Sequence, residues 1–335
     1  MNNTVILLLL KDRFEFTQRW LHVHNKLNFK IPIHIADGSH SDCNEKIISE
    51  FLTRENNLNI TYKNYGKDSN LNKFYSKIIN SIEDIDSEYV ILCCNDDFLV
   101  KESILEGSHF LDNNHEFVAT AGPVFDTTMC QTKTSHNQIW GILSHPINQY
   151  PAFDRIEDLA ESRICNYLSG RKNSYIWSAL HRKNVLLETS KVIHGISPPD
   201  LRFQEHLNAL LTLTKGKVSG RMQCMTLHQS NTMESEGAKI MNNIGTWYMW
   251  IQSNEWFECY KEMISEIVNL IAPKSKSPKK ELSRLIEIYY QAFIGQMNIR
   301  EFHPAYKEEF FSSGKPIPRH SHVYKTWDKI SKIIG

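Results

Sequence analysis

The strongest constraint on the fold is an alternation of short apolar runs and amphipathic segments between residues 1 and 120. Apolar residues recur at helical spacing in Phe14–Leu27 and Leu71–Ile85, and a third helix follows a cap at Ser41 or Asp42. The apolar runs have the length and composition of strands covered on both faces. They are Val5–Leu10, Ile31–Ala36, Leu58–Tyr62 and Tyr89–Cys94. The repeat predicts an α/β fold with a Rossmann-like, mostly parallel sheet flanked by helices.

The alternation weakens after residue 122. The elements that we predict there are a helix near Arg155–Leu168, a strand at Tyr175–Leu180, helices at Arg182–Thr189 and Phe203–Leu213, and a strand at Lys217–Met225. Helical character follows from residue 237 to 272, then a basic linker at 273–280 and a last helix at 282–297. We therefore predict one domain over 1–232, with halves at 1–122 and 123–232, and a mainly helical C-terminal region over 233–335.

Composition excludes several classes of protein. The chain has 38 basic and 38 acidic residues, and this zero net charge is not that of a nucleic-acid binder. Its seven cysteines are odd in number and form no Cys-x-x-Cys pair, which favours a reducing compartment and disfavours a zinc site built on cysteines. The apolar run Val5–Leu10 has no preceding positive residue and is too short to span a bilayer. We expect a cytoplasmic protein.

Polar clusters follow three of the predicted strands. They are Lys11-Asp12-Arg13, Asp37-Gly38-Ser39 and Asn95-Asp96-Asp97. Because ligands of such sheets bind beyond the carboxyl ends of the strands, we expect these clusters to border one site. The adjacent carboxylates of the Asn95-Asp96-Asp97 turn repel each other, and Mg²⁺ or Mn²⁺ takes oxygen ligands of this kind. The alternative for that turn alone is a solvated loop, but its place at the end of the fourth strand favours a metal.

The other two clusters also have two interpretations. Asp37 is placed to accept hydrogen bonds from a ribose or a base, and an ordinary Asp-Gly turn is the alternative. Lys11, Asp12 and Arg13 lie where a nucleotide base or phosphate would sit, and a surface cluster at a helix entry explains them equally. No Gly-x-Gly-x-x-Gly follows the first strand, which speaks against a nicotinamide enzyme.

The order of these strands and motifs resembles the GT-A fold, and more narrowly the bacterial family 2 glycosyltransferases that build surface polysaccharides. In that resemblance Asp37 contacts the nucleotide, and Asn95-Asp96-Asp97 stands for the Asp-x-Asp metal motif. Asn95 departs from the motif, so Asp97 and Asp96 are the implied ligands of Mn²⁺ or Mg²⁺, with Asp96 also near the nucleotide. The implied activity is inverting transfer of a sugar from a nucleotide-sugar donor to a glycan or lipid-linked acceptor. Residues 1–122 would then bind the nucleotide, and residues 123–232 the acceptor.

The resemblance also extends to the second half of the chain. Such enzymes place an acidic base at the start of a helix, and Glu205 matches it here, with His206 as the substitute and Asp200 as the third choice. A helix-initial Glu that only favours the helix dipole is the alternative. His228 follows the last strand, where a histidine completes the metal shell in several GT-A enzymes; a structural histidine is the alternative.

Three further features leave alternatives open. Lys77 is placed to reach a donor phosphate, or to lie on a solvated helix face. Tyr175 and Trp177 would stack on a sugar or pack in the core. The basic, aromatic tail from residue 315 would contact an anionic membrane surface, at the inner membrane face, or form a packed helix with one solvated face.

Two other functions fit the pattern. A sugar-phosphate nucleotidyltransferase would share the fold, but its glycine-rich basic loop after the first strand is missing, since Lys11-Asp12-Arg13-Phe14 contains no glycine. A non-catalytic nucleotide-sugar-binding module would keep the fold and lose the base.

Overall fold

A computed structural model describes residues 3–54, 56–130, 139–169, 175–230, 251–302 and 321–335. Thirteen strands lie in these ranges. They are β1 (Thr4–Leu10), β2 (Ile33–Asp37), β3 (Ile60–Asn64), β4 (Tyr89–Cys94), β5 (Phe98–Leu99), β6 (Phe117–Thr120), β7 (Val124–Thr127), β8 (Met129–Cys130), β9 (Ile142–Leu143), β10 (Ile147–Tyr150), β11 (Leu180–Arg182), β12 (Lys217–Ser219) and β13 (Thr226–Gln229).

Ten α-helices accompany these strands in the described part of the chain. They are α1 (Phe14–Lys26), α2 (Cys43–Thr53), α3 (Leu71–Asp84), α4 (Lys101–Asn113), α5 (Ala160–Ser169), α6 (Lys183–Ile196), α7 (Leu201–Lys215), α8 (Asn254–Ile271), α9 (Lys279–Phe302) and α10 (His322–Ile334). The four strands predicted in the first half are confirmed, with β4 at the predicted bounds. Helix α4 was not predicted.

The main sheet has seven strands in the order β12-β6-β11-β4-β1-β2-β3, and all run parallel except β11. Its strand β1, between β4 and β2, is buried along nearly its whole length, because helices cover both faces. Leu10 pairs with Asp37 on β2, and Leu9 pairs with Cys94 on β4. These registers place the ends of β1, β2 and β4 at one edge, as the sequence predicted.

A second, four-stranded sheet has the order β10-β7-β13-β5 and lies beyond that edge. Strand β5 begins one residue after Asp97 and pairs with β13, with Leu227 opposite Phe98. Strand β7 runs parallel to β13, with His228 opposite Asp126. The second sheet therefore brings the second half of the chain against the acidic turn.

Two predicted strands were wrong. Tyr175–Leu180 is a 3₁₀ turn at Ile176–Ser178 followed by the short strand β11. Of the predicted strand Lys217–Met225, only Lys217–Ser219 is a strand, β12; strand β13 of the second sheet begins later, at Thr226. Strand β12 ends just before Gly220, where an added Cβ would lie 2.3 Å from the Phe153 backbone. This close approach of two chain segments ends β12, and apolar periodicity does not reveal it.

Helices α8 and α9 of the C-terminal region belong to the same core as the main sheet. Met263 and Ile267 of α8 and Ile286 and Tyr290 of α9 are buried in the cluster that includes α3, α6 and α7. Helix α9 starts earlier and ends later than the predicted 282–297. The predicted boundary at residue 232 and the start of helical character at 237 lie outside the described residues.

Helix α10 carries part of the basic tail. Its Val323 and Ile330 are buried beside the second sheet, and Trp327 Nε1 donates to the Ser144 carbonyl oxygen at 2.9 Å. These contacts support the interpretation as a packed helix, whose lysines lie on the outward face; Lys315 and Arg319 are outside the described residues. Among the described helices, none has the length and apolar character needed to cross a membrane.

Candidate functional site

The acidic turn joins β4 to β5 at the edge where β1 and β2 also end. The Asp97 backbone N–H donates to the Cys94 carbonyl oxygen at 3.2 Å, which closes the turn. Asn95, Asp96 and Asp97 are all buried, with relative exposures of 1%, 4% and 7%. The alternative of a freely solvated loop is therefore wrong, because solvated turns do not bury adjacent carboxylates.

Arg13 neutralises the first of the two carboxylates. Its Nη1 donates to Asp96 Oδ2 at 2.8 Å, and its Nη2 donates to Asp96 Oδ1 at 3.3 Å and to Asn95 Oδ1 at 2.6 Å. This forked geometry suits a guanidinium and a carboxylate. Asp12 and Arg13 both have left-handed backbone angles, with φ of 54° and 49°, and this bend turns the chain from β1 into α1. Arg13 thus connects the Lys11-Asp12-Arg13 cluster to the Asn95-Asp96-Asp97 turn by hydrogen bonds, whereas the sequence predicts only that both lie at one edge of the sheet.

His228 neutralises the second carboxylate. Its Nδ1 lies 2.6 Å from Asp97 Oδ1. Burial alone would lower the pKa of His228, but the carboxylates of Asp97, Asp126 and Asp96 raise it to about 10. Burial raises the pKa of Asp97, and His228 opposes that rise. The two groups form a charged pair at neutral pH, and the predicted proximity of His228 to the acidic turn is observed.

Asp126 is a third carboxylate at this place, and sequence reasoning missed it. It lies on β7 directly opposite His228, and burial raises its pKa to about 6. Its Oδ1 is buried and has no hydrogen-bond partner among the described residues. The sequence Val-Phe-Asp-Thr resembles any edge strand, so only the pairing of β7 with β13 reveals Asp126.

Glu205 faces the same site from the first turns of α7. It accepts a hydrogen bond from Tyr175, and it is close enough to His228 and Asp97 to interact electrostatically with both. Burial raises the pKa of Glu205 to about 7. A carboxyl group with such a pKa is suited to accept a proton near neutral pH.

The two other acceptor-side candidates are placed differently. His206 packs edge-to-face on Phe293 of α9, with ring centroids 4.8 Å apart, and burial lowers its pKa to about 4. Asp200 is fully buried and caps α7 by accepting from the backbone N–H of Arg202 and Phe203. Trp177 is buried against Tyr75, which favours core packing for this aromatic residue.

Asp37 is held tightly within the loop that follows β2. It is fully buried, its Oδ1 accepts from the Ser39 backbone N–H and hydroxyl, and its Oδ2 accepts from the Tyr62 hydroxyl at 3.0 Å. The same loop contacts Asp12, whose Oδ1 accepts from the His40 backbone N–H at 2.9 Å. Asp37 therefore shapes the loop at the predicted edge, and its contact with a nucleotide stays a prediction.

Lys77 is buried under the end of β1. Its Nζ donates to Asp68 Oδ2 and to the Leu10 carbonyl oxygen, both at 2.6 Å, and the pair is almost fully buried. The solvated helix face is therefore wrong for Lys77. Lys11 acts electrostatically on the same Asp68. Contact of either lysine with a phosphate stays a prediction.

Several groups at the acidic turn have the chemistry of metal ligands. One ligand atom each from Cys94, Asp96 and Asp97 lies within 4.8 Å of the others in the described part of the chain. Asp97 gives an oxygen donor, and His228 gives a nitrogen donor once it releases its proton to a binding cation; Mn²⁺ accepts such a set. Asp96 is already engaged by Arg13, so the residues fit a cation centred on Asp97 better than one shared equally by both carboxylates.

The main sheet is parallel with one reversed strand, its carboxyl edge carries the acidic turn, and helix α7 faces that turn. Together these features define a GT-A-like fold. No protein-family model matches the chain, and no curated protein matches it in sequence. Among solved structures, it is similar to S. aureus TarS, at a TM-score of 0.51 and 10% identity; the match covers 99% of this chain but 55% of TarS.

Two structures of TarS residues 1–349 are also similar to this chain. They give TM-scores of 0.50 and, in the complex with UDP-GlcNAc, 0.52, again at 10% identity, with 90% of that shorter chain covered. At this identity the likeness shows the fold. It confirms the predicted GT-A-like α/β architecture.

Proposed function

We propose that this protein is a glycosyltransferase that moves a sugar from a nucleoside diphosphate sugar to a hydroxyl of a glycan or glycolipid. One observation carries the proposal: Asp97, His228 and Glu205 come from three separate elements and meet at the carboxyl edge of a GT-A-like sheet. Ligands of open α/β sheets bind at that edge. In this proposal Asp97 and His228 would hold a cation that faces the diphosphate, and Glu205 is the base that faces the acceptor.

In this proposal Glu205 accepts the proton of the acceptor hydroxyl. The acceptor oxygen forms a bond with the anomeric carbon while the bond from that carbon to the diphosphate oxygen breaks, and the nucleoside diphosphate leaves. Because attack and departure take place on opposite faces of the sugar, the configuration inverts. The hydrogen bond from Tyr175 orients the Glu205 carboxylate, and its pKa of about 7 makes it both available and basic.

Asp97 and His228, together with Asp96, are the residues that would hold Mn²⁺ or Mg²⁺. A bound cation would supply neutralisation of the charge that develops on the leaving diphosphate. Arg13 forms an ion pair with Asp96 and adds a fixed positive charge to the same site. On the donor side, the Asp37 loop and the Lys77–Asp68 pair form the base of the proposed nucleotide pocket, with Lys11 and Asp12 at its rim.

The first donor to test is UDP-GlcNAc, because a structural neighbour binds it. A place in bacterial surface polysaccharide synthesis and peripheral contact with a membrane are parts of the same proposal. A thermal-shift screen of nucleoside diphosphates and their sugars, with and without Mn²⁺, tests donor binding. Metal-dependent stabilisation by one nucleotide is expected, and no stabilisation by any of them contradicts the proposal.

An assay of the released products separates the two alternatives from a transferase. A nucleotidyltransferase would release pyrophosphate from a nucleoside triphosphate and a sugar phosphate, whereas a transferase releases a nucleoside diphosphate. A binding module would be stabilised by the donor and would release neither product.

A further inference from the structure

Arg19 is a buried charge that the proposed reaction does not use. It lies on α1 with no exposed surface, and its guanidinium carbon is 4.9 Å from the ring centres of both Phe16 and Phe98. Its Nη1 donates to the Ile139 carbonyl oxygen at 3.0 Å and to Gln229 Oε1 at 2.7 Å. Its Nε and Nη2 are buried, and no hydrogen-bond partner for them exists among the described residues.

Packing alone does not account for this arginine. Burial lowers the pKa of Arg19 only to about 10, so the side chain stays charged at neutral pH. Burying a charge without full hydrogen bonding destabilises a fold, and an apolar residue of similar volume is often as stable or more so. The compensation comes from the attraction of Asp96 and Asp97, the two carboxylates of the acidic turn.

The neighbours of Arg19 connect the two halves of the site. Phe98 is the residue after Asp97, and Gln229 is the residue after His228. Phe98 begins β5 and Gln229 ends β13, and these strands come from parts of the chain more than a hundred residues apart. Arg19 packs on the Phe98 ring and donates a hydrogen bond to Gln229. A single side chain therefore contacts the residue next to Asp97 and the residue next to His228.

We propose that Arg19 is a positioning residue that fixes Asp97 and His228 opposite each other. Its flat guanidinium holds the Phe98 ring, its hydrogen bond holds Gln229, and its charge stabilises the ionised acidic turn from behind. The geometric claim concerns the free protein; the claim that this arrangement serves donor and metal binding rests on the proposed function.

The experiment compares four variants with the wild type. Arg19→Met removes the charge and the fork at similar length, Arg19→Lys keeps only the charge, and Gln229→Leu removes one hydrogen bond. Arg163→Met is the matched control, because Arg163 is also buried but bonds backbone carbonyl groups at the α5–α7 contact, away from the acidic turn.

The first readout needs no ligand. The imidazole ¹H–¹⁵N NMR signals of His228, assigned by their loss in His228→Gln, report its contact with Asp97. We expect Arg19→Met to shift these signals and Arg19→Lys not to restore them, because lysine lacks the planar fork. Gln229→Leu should shift them in the same direction by a smaller amount, and it replaces Arg19→Met as the test if that variant does not fold. Arg163→Met should leave them unchanged.

The second readout is the affinity of the free protein for Mn²⁺, measured by calorimetry. We expect Arg19→Met to weaken it about 10- to 100-fold, the range found when supports of metal ligands are removed. The proposal would be overturned if Arg19→Met left the His228 signals unchanged and kept a Mn²⁺ affinity within twofold of wild type, while its Tm fell as that of Arg163→Met does. If the wild type binds no nucleotide while Arg19→Met still shifts His228, the proposed function fails and the positioning role stands.

Discussion

The pKa of Glu205 gives the most direct test of the proposed reaction. A base must be deprotonated in the free enzyme, so kcat/KM should follow the fraction of ionised Glu205. With a pKa of about 7, that fraction is about one tenth at pH 6 and about nine tenths at pH 8. We expect kcat/KM to rise about tenfold over this range. A carboxylate at the ordinary value of 4.5 would give a flat profile.

Glu205→Gln removes the base and keeps the shape of the side chain. We expect turnover to fall by about 10²- to 10⁴-fold, the usual contribution of a general base. The assay measures release of the nucleoside diphosphate in the presence of acceptor, at several pH values. Glu188→Gln on α6 is the control, since Glu188 is exposed and pairs with Lys215 at the surface. A flat profile between pH 6 and 8, or turnover of Glu205→Gln above a tenth of wild type, would refute the role of Glu205.

The same group makes a stability prediction of known sign. The pKa of Glu205 is higher in the folded protein than in the unfolded chain, so its contribution to stability falls as the pH rises from 4.5 through about 7. The shift corresponds to at most roughly 3 kcal/mol, and partial exposure reduces it. Glu205→Gln should therefore raise the free energy of unfolding at pH 8 by about 1–3 kcal/mol, as measured by urea denaturation. Loss of activity without loss of stability distinguishes a catalytic from a structural carboxylate.

Three more predictions follow from buried contacts. Asp97→Asn and His228→Gln should each abolish the Mn²⁺-dependent part of the nucleotide thermal shift, which a chelator should also remove in the wild type. Because both residues act at one site, the double variant should lose no more than either single variant. Chelator-insensitive transfer by the wild type would contradict the metal site. Lys77→Met should lower the free energy of unfolding by about 3–5 kcal/mol, because Asp68 is left charged and buried, and adding Asp68→Asn should recover much of this in urea titrations. Gly38→Ala should lower Tm by several degrees in calorimetry, since the new Cβ would lie 2.3 Å from the Asp68 carboxylate; an unchanged Tm would show that Asp68 moves freely.

Local patterns determine the framework of this protein. The strand β1 and its neighbours are apolar because both faces are covered, and the helices between them show the matching periodicity. Parallel strands place their carboxyl ends at one edge, so the position of the Asn95-Asp96-Asp97 turn follows from the sequence. These features depend on residues close together in the chain, which is why the fold class and the acidic turn were predictable.

The contacts inside the site depend on residues far apart, and only the tertiary structure decided them. Asp97 meets His228 across 131 positions, Arg13 meets Asp96 across 83, and Arg19 meets Gln229 across 210. Each partner sits at a strand end or in a helix whose direction is set by the packing of the second sheet on the first. No periodicity encodes that packing. The acidic turn could therefore be predicted from the sequence, whereas the side chains that neutralise its carboxylates could not.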